Sequence, residues 1–284
     1  MAIDVLQDKI RKQKNPSALY FSLDTSVVPP MLPKTVEGCG KYYGELLEAL
    51  RGQVPAVRFA FGSFCLQEGG LPLLQMLLKK ASNLGYYVLL DCPEILSAAA
   101  AEQYAAILFA KEGAFSFDGI ILSAFLGSDT VKPFLARSKD CGKDAFILLR
   151  SANKSASELQ DLLTGGRLVH TAAADVISRL GESIVTRCGY SPLGAVSSAT
   201  APDSLRNLRE KYKHMFLIVD GYTAPGANAK NCGFAFDRLG HGALVCNDGI
   251  VTAWQAEEND DYLTAAKDAA ERMRHNIARY VTVF

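Results

Sequence analysis

A (β/α)8 barrel, a TIM barrel of the α/β class, is the fold this sequence predicts, and three observations point to it. Eight short apolar runs alternate with periodic helical stretches almost from end to end. Each run is nearly continuous in apolar residues, as strands of a parallel sheet buried on both faces must be. The 284 residues are 49% hydrophobic, enough for one large core, and barrels of this length commonly form a single domain. Periodicity alone does not separate a closed barrel from an open doubly wound sheet. The count of eight favours closure.

The strands are expected at residues 18–23, 56–61, 87–90, 119–122, 146–149, 194–198, 216–219 and 243–245. Between them, apolar residues recur at helical spacing over 36–50, 71–84, 98–110, 131–139, 171–180 and 202–211. A leading helix over 3–12 and a closing helix over 260–280 cap the two ends of a single domain spanning 1–284. No internal repeat, low-complexity tract or linker interrupts the series.

Composition removes several function classes. Thirty basic and thirty acidic residues balance to zero formal charge, with no basic stripe for nucleic acid and no charged tail. No stretch approaches the roughly 18 uninterrupted apolar residues of a membrane span, and the charged, amphipathic N-terminus lacks a signal core. Seven cysteines, odd in number and without CxxC pairs, suit a reducing cytoplasm better than a disulfide framework. His170, His214, His241 and His275 lack metal-ligand spacing, so no metal site is expected.

The most informative stretch is residues 86–104, YYVLLDCPEILSAAAAEQY. An apolar strand ends in Asp91, followed by a short loop and a helix of small residues. The C-terminal end of a strand is where a barrel presents functional groups. This stretch resembles the third strand and loop of the orotidine 5'-phosphate decarboxylases of the longer-chain bacterial type, which carry Asp-x-Lys-x-x-Asp and then Ala-Glu-x-Tyr-Ala. Further landmarks follow in the family's order: Asn15-Pro16 through Ser22-Leu23-Asp24, Phe125-Leu126-Gly127-Ser128-Asp129, Arg150-Ser151-Ala152-Asn153, Gly221-Tyr222-Thr223-Ala224-Pro225-Gly226, and Gly240-His241-Gly242-Ala243-Leu244-Val245. Jointly these matches span most of the chain.

The resemblance implies a homodimeric, cofactor-free carboxy-lyase that converts orotidine monophosphate to uridine monophosphate and CO2 in pyrimidine biosynthesis. Its charge network alternates lysine and aspartate, and a lysine supplies the proton to the carbanion-like carbon. Asp24 and Asp91 match family carboxylates, and Arg58 stands at a family lysine. A guanidinium keeps the charge but does not yield a proton at neutral pH. Pro93 stands at the catalytic lysine and Leu96 at the aspartate that crosses into the partner's site. Ala152 replaces a base-binding serine, Pro225 a glutamine, and Gly249 the phosphate-binding arginine, with Asp248 beside it. Asn153, Gly221 and Gly226 keep positions that the resemblance assigns to substrate binding.

The six changes fall on functional positions while the landmarks around them stand, so decarboxylation is expected to be lost. The chain then acts as a pseudoenzyme or ligand-binding protein, with a small polar or nucleotide-like ligand at the C-terminal barrel mouth. Two alternatives stay open. One is an enzyme of altered specificity using Asp24, Arg58 and Asp91, with Cys92 as a candidate nucleophile. The other is a working decarboxylase with a lysine relocated to Lys154 or Lys230. The same three charges equally suit a plain ion-pair cluster that stabilises the mouth.

Overall fold

The computed structural model describes residues 1–92, 94–256 and 261–284. Eight parallel strands close into a barrel: β1 (Ser17–Phe21), β2 (Ala56–Ala60), β3 (Tyr87–Asp91), β4 (Gly119–Ser123), β5 (Asp144–Leu148), β8 (Leu193–Ser198), β9 (Leu217–Asp220) and β10 (Ala243–Asn247). Neighbours in sequence are neighbours in the barrel, and β10 pairs with β1 through Ser17–Val245, Ala18–Cys246 and Leu19–Asn247. β6 (Leu163–Thr164) and β7 (Arg167–Leu168) form a separate antiparallel hairpin in the connection after β5. All eight expected strands are present, with ends displaced by at most two residues. The hairpin was not anticipated.

The helices are α1 (Ala2–Gln13), α2 (Val36–Ala49), α3 (Phe61–Cys65), α4 (Gly70–Asn83), α5 (Ala98–Leu108), α6 (Ser128–Cys141), α7 (Val169–Gly181), α8 (Pro202–Lys211), α9 (Ala229–Gly233) and α10 (Tyr262–Ala278). Side chains set several starts. The Thr35 hydroxyl accepts from Gly38 N–H, that of Ser97 from Ala100 N–H, and Asp261 caps α10 by accepting from Leu263 and Thr264 N–H. The expected start of the closing helix at Asp260 lies outside the described residues.

α1 covers the N-terminal end of the barrel. Ile3, Leu6 and Ile10 are fully buried, Gln7 accepts from Gly242 N–H just before β10, and Ala2 N–H donates to Gly142 just before β5. Beneath it, Tyr87 donates its hydroxyl to Asp144 at 2.8 Å, and both side chains are buried. Burial pushes the Asp144 carboxyl well above the usual carboxylate range, and its Oδ1 has no partner among the described residues. With this end closed by packing, the C-terminal mouth is left for a ligand.

Candidate functional site at the barrel mouth

Arg58 is the centre of the mouth. It sits in β2 with 7% of its surface exposed, beside Tyr20 of β1 and Leu89 of β3 in the strand register. Nη2 donates to Asp91 Oδ2 at 2.6 Å and Nη1 to Asp220 Oδ1 at 2.6 Å. These carboxylates stand at the ends of β3 and β9, so the guanidinium bridges across the barrel. The Tyr20 ring, from β1, lies under the guanidinium carbon with its centroid 4.9 Å away. Nε has no partner among the described residues.

The electrostatics follow from burial and from two carboxylates sharing one cation. Burial disfavours the Arg58 charge, yet Asp220 and Asp91 hold it ionised, well above its ordinary range. Burial raises the Asp220 carboxyl against the opposing pull of Arg58. Burial also pushes the Tyr20 hydroxyl to about 12 and the Cys246 thiol to about 12. Cys92 is fully buried, and burial followed by the Glu94 and Asp91 charges drives its thiol upward. A thiol in that setting stays protonated and is a poor nucleophile.

Two cavities open here. One of about 300 Å³ is lined by Tyr20, Arg58, Ala152, Asp220, Gly221 and Asp248, among others. The second, of about 440 Å³, shares Tyr20, Thr223 and Asp248 and extends to Ser22, Asp24, Tyr43 and Gly249. Asp24 is exposed and caps the 3-10 turn Thr25–Val27, accepting from Ser26 N–H at 2.8 Å. It faces the second cavity and makes no ion pair with Arg58 among the described residues. Thr223 donates to Asp248 Oδ1 at 2.7 Å.

The remaining sequence candidates divide. Gly221 lines the smaller cavity. Its φ of 72° favours glycine, and an added Cβ would stand 2.6 Å from the Ala152 Cβ. Asn153 and Gly226 lie outside both linings. Asn153 Oδ1 accepts from the Ser151 hydroxyl at 2.5 Å, and the Gly226 carbonyl accepts from Asn231 Nδ2 at 3.3 Å. Lys154 and Lys230 are exposed and line neither cavity. Leu96 is 84% exposed. Pro93 lies outside the described residues. Asp220 and Tyr20 were not singled out from sequence. The signal for Asp220 was present, a carboxylate directly after the apolar run of β9 and before Gly221.

The comparisons with known proteins bear on the same barrel. No protein-family model matches the chain. An orotidine 5'-phosphate decarboxylase of Rhodopirellula baltica is 31% identical over 220 residues, covering 75% of this chain and 73% of that protein. The chain belongs to the orotidine 5'-phosphate decarboxylase family. A second decarboxylase, from Clostridium kluyveri, is 33% identical over 182 residues, 63% of this chain. The chain spans 62% of the length of that relative. The orotidine 5'-monophosphate decarboxylase structure of Plasmodium berghei matches with a TM-score of 0.80 at 10% identity, over 99% of each chain, and so speaks to the fold alone.

Within this family frame, the Arg58 bridge changes what the mouth can offer. Both terminal nitrogens of the guanidinium already meet carboxylates. Among the described residues lining the two cavities there is no lysine, and Arg58 is the one arginine. Gly249 contributes no charge at the position read as the phosphate arginine, and Asp248 contributes an opposing one. The arrangement can hold a polar ligand and order its dipoles. The groups in the lining that keep a proton at neutral pH include the Tyr20 hydroxyl and the Cys246 thiol, both raised to about 12 by burial, and no ammonium is among them.

Proposed function

We propose that this chain is a decarboxylase-fold protein that has lost orotidylate decarboxylation and binds a small polar ligand at the C-terminal mouth. The observation that carries the proposal is the closure of Arg58 against Asp91 and Asp220, at 2.6 Å each. A guanidinium held between two carboxylates keeps its positive charge and yields no proton at neutral pH. Pro93 at the position read as the catalytic lysine, Leu96 at that of the second aspartate and Gly249 at that of the phosphate arginine support the same conclusion. Losing a charge-assisted phosphate contact costs about 1.5–3 kcal/mol, and the neighbouring Asp248 adds repulsion.

We further propose that the chain is one domain, that it works as a homodimer, and that it acts in the cytoplasm. Family membership supports dimerisation, and Leu96 would then contribute apolar contact where a charged residue crosses between subunits in the relatives. No described helix is long and apolar enough to cross a membrane. Incubation with orotidine 5'-monophosphate, followed by ultraviolet absorbance, tests the proposal. No conversion is expected, and catalytic formation of uridine monophosphate would overturn it.

A further inference from the structure

We propose that the groove between α9 and the end of α10, on the outer wall of the barrel, is a binding site for a small phosphate monoester. The groove shares no lining residue with either mouth cavity, so this site stands independently of the reading of the mouth.

Three segments of the chain build it. In the turn after β9, Gly221 and Thr223 line the mouth, while Tyr222 between them lines the groove. Asn228 caps α9, its side chain accepting from Asn231 N–H, and this fixes Lys230 in the first turn of the helix. Asn276, Arg279 and Tyr280 come from the end of α10, at the i, i+3 and i+4 spacing that gathers side chains on one helical face. Together these segments surround about 330 Å³.

The charges in the lining have one sign. Among the described residues it holds Lys230 and Arg279 and no Asp or Glu, whereas Asp24, Asp220 and Asp248 line the mouth. Neither cation has a hydrogen bond or an ion pair with a described residue. On α8 and α10, by contrast, Arg206, Lys211 and Arg274 each meet a carboxylate. A concave surface lined by one charge sign concentrates counter-ions. The counter-ion here is an anion.

The neutral groups decide which anion. Burial raises the Tyr222 hydroxyl, which therefore keeps its proton, and the Asn276 side chain pairs with it. The Asn228 oxygen is taken by the α9 cap, which leaves its amide N–H groups for a ligand. Amide and phenol donors thus stand beside a planar guanidinium fork and a compact ammonium. A carboxylate offers only two oxygens in one plane. A phosphate monoester offers three around a tetrahedral centre, with nearly two negative charges at neutral pH, and so meets both cations and the neutral donors at once. The Tyr280 ring, 56% exposed, presents an apolar face to the esterified group.

Amide chemical-shift titration at constant ionic strength tests this with phenyl phosphate and with benzoate, which pairs the same ring with a carboxylate. Saturating shifts at residues 228–231 and 276–280 are expected with phenyl phosphate and none with benzoate. Lys230→Gln and Arg279→Gln, both at exposed positions, should each weaken phenyl phosphate about tenfold. Lys132→Gln, at an exposed position of α6, should leave it unchanged. Absence of saturable shifts in the groove, an equal response to benzoate, or indifference to both groove substitutions would overturn the site. Saturable shifts at Tyr20, Asp24 and Asp248 in place of the groove would also overturn it, and would count against the loss of phosphate affinity at the mouth.

Discussion

Arg58 and Asp144 show how differently a single buried charge behaves with and without an ionic partner. Arg58 neutralises carboxylates contributed by two strands, so Arg58→Met would leave Asp91 and Asp220 facing each other at a partly buried mouth. Breaking such a pair costs about 3–5 kcal/mol. Urea denaturation at neutral pH should show a loss of that order, and a loss below about 1 kcal/mol would mean that the cluster contributes little to stability. Among the described residues Asp144 has a hydroxyl partner and no ion pair, and burial raises its carboxyl against the pull of the Tyr87 hydrogen bond and the N-terminal charge. A carboxyl raised in the folded state binds its proton more tightly there than in the unfolded chain, where the value is about 3.9. Its contribution to stability therefore falls as pH rises from about 4 toward the folded value. Asp144→Asn should accordingly raise Tm at about pH 8 and have much less effect near pH 4. An equal shift at both pH values would contradict the assignment of a raised carboxyl.

At the scale of elements, the turn after β9 carries a constraint that substitution can expose. Gly221 combines a φ of 72° with the close approach of Ala152. Gly221→Ala should destabilise by about 1–3 kcal/mol, measured by chemical denaturation, and an unchanged midpoint would place the loop's conformation in doubt. The barrel strands were legible in the sequence because burial on both faces leaves continuous apolar runs such as 87–90 and 243–245. α3 and α9, five residues each, are too short for a 3.6-residue period to register. The β6–β7 hairpin could have been found, since Thr164-Gly165-Gly166-Arg167 carries the Gly-Gly turn signal and both glycines have positive φ. Of the site, Asp91 was legible at the end of its apolar strand and Arg58 as the lone charge inside one. The bond from Arg58 to Asp220 was not, because 162 positions separate them and only barrel closure brings them together. Asp24 shares the mouth with Arg58, in the adjoining cavity, but stands outside its ion pairs. Its carboxylate caps its own turn, a local hydrogen bond that short polar residues make readily.

For the molecule as a whole, fold and chemistry separate. A barrel that superposes on a Plasmodium berghei decarboxylase at 10% identity depends on apolar patterning that many sequences satisfy. Function depends on a few side chains at one end of it. Here that end carries a guanidinium closed between carboxylates, while the whole chain is formally neutral. The acidity is thus concentrated at the mouth and does not follow from overall composition. The most direct measurement of the central claim is orotidine 5'-monophosphate turnover at high protein concentration over hours, with protein from a host lacking its own decarboxylase. The account predicts no uridine monophosphate beyond the uncatalysed background. Formation in excess of the protein present would contradict it, and substitution of Lys154 and Lys230 would then identify which lysine supplies the proton.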